Sequence, residues 1–167
     1  DVGTNRFFMR VQFEVTDTAI TAAALSERFA GVADEMTMAA TFVATATRVR
    51  TLIMVSKQGH CLNDLLFRHK CGQLPIDIPA IVSNHMDYYQ LAASYNIPFF
   101  HLPVTAETKL GQEAKLREII TEKQVDLVVL ARYMQVLSPS LCEYLNGRAI
   151  NIHHSFLPSF KGARPYF

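Results

Sequence analysis

Two side chains near the carboxyl end of the sequence have the types and spacing for acyl chemistry. Asn151 and His153 lie in the run Ala149 to Ala163, AINIHHSFLPSFKGA. That run opens as a strand, so Asn151 and His153 share one face and His154 takes the other. An amide N–H can stabilise a developing oxyanion. An imidazole with an unperturbed pKa near ~6.5 can carry a proton at neutral pH. Together they suit acyl transfer without a covalent enzyme intermediate. The same pair also reads as core side chains tied into backbone hydrogen bonds, and position alone leaves both readings open. The loop that follows contains Pro158, Gly162 and Pro165. Its charges, Lys161 and Arg164, read as anchors for an anionic ligand tail or as a solvated rim.

The elements behind this strand must place it. From Arg48 onward, apolar runs and helical periodicities alternate. Leu52 to Val55 (LIMV) is continuous and apolar, as strands buried on both faces are. Leu62, Leu65, Leu66 and His69 follow at helical spacing, with Gly72 as a stop. Strands are predicted at Ile78 to Val82, Pro98 to Leu102, Val125 to Ala131 and Ala149 to Ile152. Helices are predicted at Met86 to Tyr95 and at Ala106 to Lys123, with Leu110, Leu116, Ile119 and Ile120 as the apolar face of the latter. Ser138-Pro139 starts a last helix, cap then first-turn proline, and Gly147 ends it. This alternation predicts an α/β fold with a doubly wound, mostly parallel sheet and helices on both faces. In such sheets ligands bind beyond the carboxyl ends of the strands, where Asn151 and His153 fall.

Residues 1–46 have another rhythm. Phe7, Met9, Val11, Phe13 and Val15 alternate with Arg10, Gln12 and Glu14, which predicts a strand with one wet face. Thr16 or Asp17 can cap a helix carrying Leu25, Phe29, Val32 and Met36. Met38 to Thr45 is Thr-rich and β-compatible. Strand, helix, strand is half of a small α+β sandwich and too short to fold alone. The predicted organisation is therefore a partial α+β unit at 1–46 and an α/β domain at 47–167.

Composition narrows the classes. Of 167 residues, 50% are hydrophobic and 19% charged, with 16 Lys+Arg against 15 Asp+Glu. That is the mix of an ordinary globular chain with a core to bury. No basic excess exists to neutralise phosphates, which argues against a nucleic-acid partner bound by bulk charge. No run approaches the ~20 apolar residues of a membrane span. Arg6, Arg10, Glu14 and Asp17 interrupt any signal-peptide apolar region. Cys61, Cys71 and Cys142 are irregularly spaced, which argues against a disulfide framework or a zinc site and for a reducing cytoplasm. No G-x-G-x-x-G follows the first predicted strand of the α/β domain, which weakens a generic dinucleotide-binding reading.

Two extended motifs resemble the folate-dependent formyltransferase family. Asn-Ile-His-His-Ser-Phe-Leu-Pro-Ser-Phe-Lys-Gly, from Asn151, is similar to its signature. Val128 to Leu137 (VVLARYMQVL) resembles its pteridine-binding segment. The resemblance runs from about Arg50 to the end of the sequence, with the motifs in the family's order. It implies that Asn151 and His153 sit beside the formyl group. It also implies that Met134, Gln135, Val136 and Leu137 wall the pteridine pocket, with backbone groups of Gln135 and Leu137 at the ring edge. The family's catalytic aspartate lies further on than this sequence reaches.

The string Ser56-Lys57-Gln58-Gly59-His60-Cys61-Leu62-Asn63-Asp64-Leu65 has one glycine followed by bulky residues. A phosphate cradle built from backbone N–H groups is not expected there. It resembles the branch of the family in which water is the acceptor. The implied reaction is hydrolysis of 10-formyltetrahydrofolate to tetrahydrofolate and formate, feeding one-carbon and purine metabolism. No metal or redox cofactor is implied; folate is the substrate. The other readings are a formyltransferase with an amine acceptor such as glycinamide ribonucleotide, and a non-catalytic folate- or amino-acid-binding regulatory protein. Arg6-Phe7-Phe8-Met9-Arg10-Val11 resembles part of the regulatory ACT domain that precedes the catalytic domain in that branch. The resemblance implies a ferredoxin-like module lacking its opening strand and helix here, a small amino-acid effector, and a protein that continues past both ends of this sequence. ACT domains commonly pair by sheet extension, so a homo-oligomer is expected. The tail Pro165-Tyr166-Phe167 departs from the family pattern, which has a polar residue after the Tyr.

Several residues carry a second reading. His60, at a strand-to-helix turn, reads as a polar group near the formyl and water positions, or as a helix-start histidine bonding a backbone carbonyl. Cys61 reads as packing rather than a nucleophile. Arg132 reads as a surface charge capping a helix, with a ligand contact as the other reading. Asp126 reads as a strand-end cap. His85, His101 and His154 read as structural.

Overall fold

The computed structural model of the chain describes residues 7–17 and 19–152. Two compact units, Asp1–Thr47 and Arg48–Phe167, divide the chain. In the first, the helix α1 (Ala22–Glu35) forms, capped by the Thr21 hydroxyl, which accepts from the Ala24 N–H. The predicted caps, Thr16 and Asp17, are not used; Asp17 instead closes a turn onto the Ala19 N–H. The predicted strands at Arg6–Val15 and Met38–Thr45 are not formed among the described residues, which make no ladder there. A period-2 pattern supplies a face, but a strand also needs a hydrogen-bonded neighbour. Phe7 and Met9 remain 87% and 74% exposed. The apolar sides still find each other locally. The Phe42 ring meets Phe13 and Phe29 edge-on at 6.3 and 5.5 Å between centroids.

The second unit runs β1 (Val49–Val55), α2 (His60–Lys70), β2 (Ile76–Ser83), α3 (Tyr89–Ser94), β3 (Phe99–His101), α4 (Lys109–Glu122), β4 (Leu127–Leu130), α5 (Pro139–Tyr144) and β5 (Ala149–Asn151). The strands form one parallel sheet in the order β3-β2-β1-β4-β5. β1 is central, and its last residues are wholly buried because both faces are covered. Leu52 and Met54 pack with Leu116, Ile119 and Ile120 of α4 and Leu141 of α5. Ile53 and Val55 pack on the opposite face with Leu62 and Leu66 of α2 and Ala92 of α3. Continuous apolarity at 52–55 thus reflects two cores, one per face.

The helix ends follow local chemistry. The Ser138 hydroxyl accepts from the Leu141 N–H and Pro139 opens α5. Gly72 and Gly147 adopt φ of +71° and +73° after α2 and α5, a region where glycine carries no Cβ penalty. Asp126 acts as the strand-end clip expected: its carboxylate accepts from the Arg50 N–H at 2.9 Å. α3 is shorter than predicted, because Met86 to Tyr88 form a turn before it. α4 departs more. Leu110, assigned to its apolar face, is 77% exposed, while Gln112 and Glu113 are buried.

Candidate active site

The chain winds outward from β1 through β2 to β3, then crosses back to β4 and β5 on the other side. The sheet's switch point therefore lies between β1 and β4, where loops leaving the two strands diverge and open a crevice. A crevice of about 240 Å³ is there. Ser56, Lys57 and Gln58 line it from the end of β1, Asn84 and His85 from the end of β2, and Arg132, Met134 and Gln135 from the end of β4. Lys57 and Arg132 are cationic and none of these lining residues is acidic, so the crevice favours a ligand with negative or electron-rich groups.

A buried hydroxyl organises the floor. Ser56 is 3% exposed. It donates to Asn84 Oδ1 at 2.7 Å and accepts from the Met134 N–H at 2.9 Å. One side chain thus joins the exits of β1, β2 and β4. A buried hydroxyl without partners would cost a few kcal/mol, on the order of 2, so these contacts fix the loops to one another.

Arg132 is not the helix-capping surface charge expected. Its φ is +62°, a left-handed conformation that costs a residue with a Cβ roughly 1–2 kcal/mol. Its Nη2 donates to Gln58 Oε1 at 2.7 Å, bridging the β4 and β1 loops. Its Nε is buried with no partner among the described residues. For Arg132 the other reading, a place at the ligand crevice, is the one its position fits, whereas nothing in the sequence signalled the Ser56–Asn84 pair. The pattern that could have found them is that all three fall just past the end of a buried strand. His85, read as structural, also lines the crevice.

The loop after β4 carries the residues assigned to the pteridine pocket. Met134 and Gln135 line the crevice. Val136 is 82% exposed, and Leu137 turns inward against the α4–α5 core. Both ends of this loop are held by α4. Gln112 Nε2 donates to the Tyr133 hydroxyl at 3.3 Å. Glu113 accepts from the Ser138 N–H at 2.8 Å and from the Ser138 hydroxyl. Burial pushes the Tyr133 phenol up to about 12, with the nearby Glu113 charge adding to the effect, so it stays neutral as Gln112's acceptor.

His60 begins α2 as an exposed residue and does not line the crevice. Gly59, just before it, is explained by Tyr88. A Cβ at Gly59 would collide with the Tyr88 ring, and the Tyr88 hydroxyl donates to the Lys57 carbonyl at 2.8 Å. The missing side chain makes room for a tyrosine.

Asn151 ends β5, exposed and paired in register with Leu130. Leu130 faces the α4–α5 core, and Ile152 packs on the other face. Strand alternation therefore sets Asn151 on the face that also receives Tyr133 and Leu137. Asn151 is one strand beyond the crevice lining rather than part of it. His153 lies outside the described residues, as do His154, Lys161 and Arg164. The three cysteines are free thiols. Among the described residues, no three metal-ligating side chains cluster and no helix is long and apolar enough to cross a membrane.

Residues 49–167 match the family described as formyl transferase. A formyltetrahydrofolate deformylase from Corynebacterium sp. strain P-1 is 47% identical over 166 residues. That alignment covers 99% of this chain, which spans 58% of the relative's length. A crystal structure of formyltetrahydrofolate deformylase from Burkholderia mallei superposes with a TM-score of 0.77 at 52% identity, covering 89% of this chain and 53% of the other. A phosphoribosylglycinamide formyltransferase structure from Bacillus halodurans gives 0.64 at 32% identity, covering 70% and 61%.

Proposed function

Because the chain belongs to the formyl transferase family, we propose that it forms the folate site of an enzyme that hydrolyses 10-formyltetrahydrofolate to tetrahydrofolate and formate. The observation that carries the reading is the placement of Asn151. It sits at a strand's carboxyl end, on the sheet face that receives the Tyr133–Leu137 loop, next to the switch-point crevice. The folate ring enters beside Met134, Gln135, Val136 and Leu137. Water attacks the formyl carbon and a C–O bond forms. The Asn151 amide donates to the tetrahedral oxyanion. His153 takes a proton from the attacking water; the C–N10 bond then breaks and His153 passes that proton to the departing nitrogen, its ring oriented by the family's aspartate. His60, exposed at the start of α2 and outside the crevice lining, would serve as an outer polar group toward the formyl and water positions. No metal or redox cofactor takes part.

Two observations favour water over an amine as acceptor. The sequence is more similar to the deformylases than to the transferase compared here. The β1–α2 loop spends its one glycine on contact with the Tyr88 ring, which leaves no glycine-rich nest for a phosphorylated acceptor. The amino-terminal unit acts as a regulatory module of ACT type, taking a small amino-acid effector and assembling a homo-oligomer in the cytoplasm. The apolar contacts of Phe42 with Phe13 and Phe29 are the packing in that unit that supports this reading.

The test supplies 10-formyltetrahydrofolate to the full-length protein with and without glycinamide ribonucleotide. Formate should appear at the same rate in both. Formyl transfer to the amine, with formate absent, would replace hydrolysis by the transferase reading.

A further inference from the structure

Helix α4 turns two polar side chains inward near its amino end, where an amphipathic helix on a sheet ordinarily buries apolar ones. Gln112 is 7% and Glu113 5% exposed, while the neighbouring Leu110 faces solvent. Burying a carboxylate carries a desolvation penalty unless its oxygens are hydrogen-bonded. Among the described residues Glu113 has no cationic partner within salt-bridge distance. Both of its oxygens are spent on one residue, Ser138. The adjacent Gln112 is spent on Tyr133. Those two partners are the residues that flank the Met134–Leu137 loop on either side.

Between them, the backbone N–H and C=O groups of Gln135, Val136 and Leu137 have no hydrogen-bond partner among the described residues. Backbone groups left unpaired in a lining loop are free for a ligand. A loop that recognises a flat heterocycle through its backbone needs its shape fixed before binding, because ordering it on binding would cost affinity.

We propose that Gln112 and Glu113 are positioning residues: one clamp on α4 that presets the Met134–Leu137 loop for a hydrogen-bonding heterocyclic ring. This rests on the reading of that loop as the folate-ring site. The clamp touches neither ring nor formyl group, and it acts through Tyr133 and Ser138. It separates affinity from chemistry, since Asn151 lies on a different element.

The test measures 10-formyltetrahydrofolate affinity, KM, kcat and thermal stability in the full-length protein. Glu113→Ala should raise Kd and KM by about tenfold or more, with kcat at saturation little changed. Glu113→Gln should restore affinity, because its carbonyl can accept from the Ser138 N–H while its amide donates to the hydroxyl. The pair Gln112→Leu with Tyr133→Phe replaces both partners by apolar groups of similar shape, a change that is often neutral for stability. It should keep the melting temperature and still weaken folate binding. A general structural role would not move stability and affinity apart. Wild-type affinity in folded Glu113→Ala and in the apolar pair overturns the clamp, as does a failure of both to fold. If the wild-type protein itself binds no folate, the functional reading falls instead.

Discussion

His153→Ala is expected to lower formate release from 10-formyltetrahydrofolate by about 10²–10⁴-fold, with folate affinity close to wild type. The expectation follows from the step proposed for His153. Expelling the N10 amide nitrogen unprotonated is unfavourable, so a positioned acid lowers that barrier. In the proposed site the ring is held by the β4–α5 loop, whose tie to Ser56 and whose flanking contacts to α4 are made by other residues. Removing the imidazole should therefore spare binding and slow chemistry. Steady-state formate detection with a parallel folate titration separates the two. Deformylation at near wild-type rate with binding intact would remove the proton-transfer role.

Asn151→Ala should reduce kcat by about 10²–10³-fold and barely change the melting temperature. Asn151 is the exposed last residue of β5, so truncating it leaves no buried cavity. The backbone ladder does not depend on the amide: Ile152 N–H still reaches the Leu130 carbonyl at 3.1 Å. Under the proposed mechanism, what is lost is the donor to the oxyanion. Asn151→Asp should be at least as slow, because its charge opposes the one that develops. A large stability loss, or a change in KM without one in kcat, would make Asn151 a structural residue.

The α/β sheet was legible because its signal is local. LIMV at 52–55 and VVL at 128–130 are buried on both faces, and that requirement leaves a continuous apolar run. Ser138, Pro139, Gly72 and Gly147 were legible because capping and left-handed turns select residue types directly. The amino-terminal unit was misread, since Phe7 to Val15 specifies a face without specifying the neighbour a ladder needs, and no strand forms there among the described residues. The site splits the same way. Asn151, Met134 and Gln135 were read from their motifs as site residues, whereas Ser56 and Arg132 stand in such motifs without a local sign of what they hold. Ser56, Asn84, Arg132 and Glu113 act through partners distant in sequence, such as Gln58 for Arg132 and Ser138 for Glu113. Helical periodicity also misassigned Leu110, because the inward face of α4 at that level serves a loop rather than the core.

In the proposed reaction water, held beside Asn151 and His153, takes the formyl group. The most direct measurement turns over 10-formyltetrahydrofolate with the full-length protein in ¹⁸O-labelled water and weighs the product. Formate should carry a single labelled oxygen, in amounts equal to the tetrahydrofolate formed. Tetrahydrofolate appearing without formate, or formate bearing no label, would contradict hydrolysis at this site.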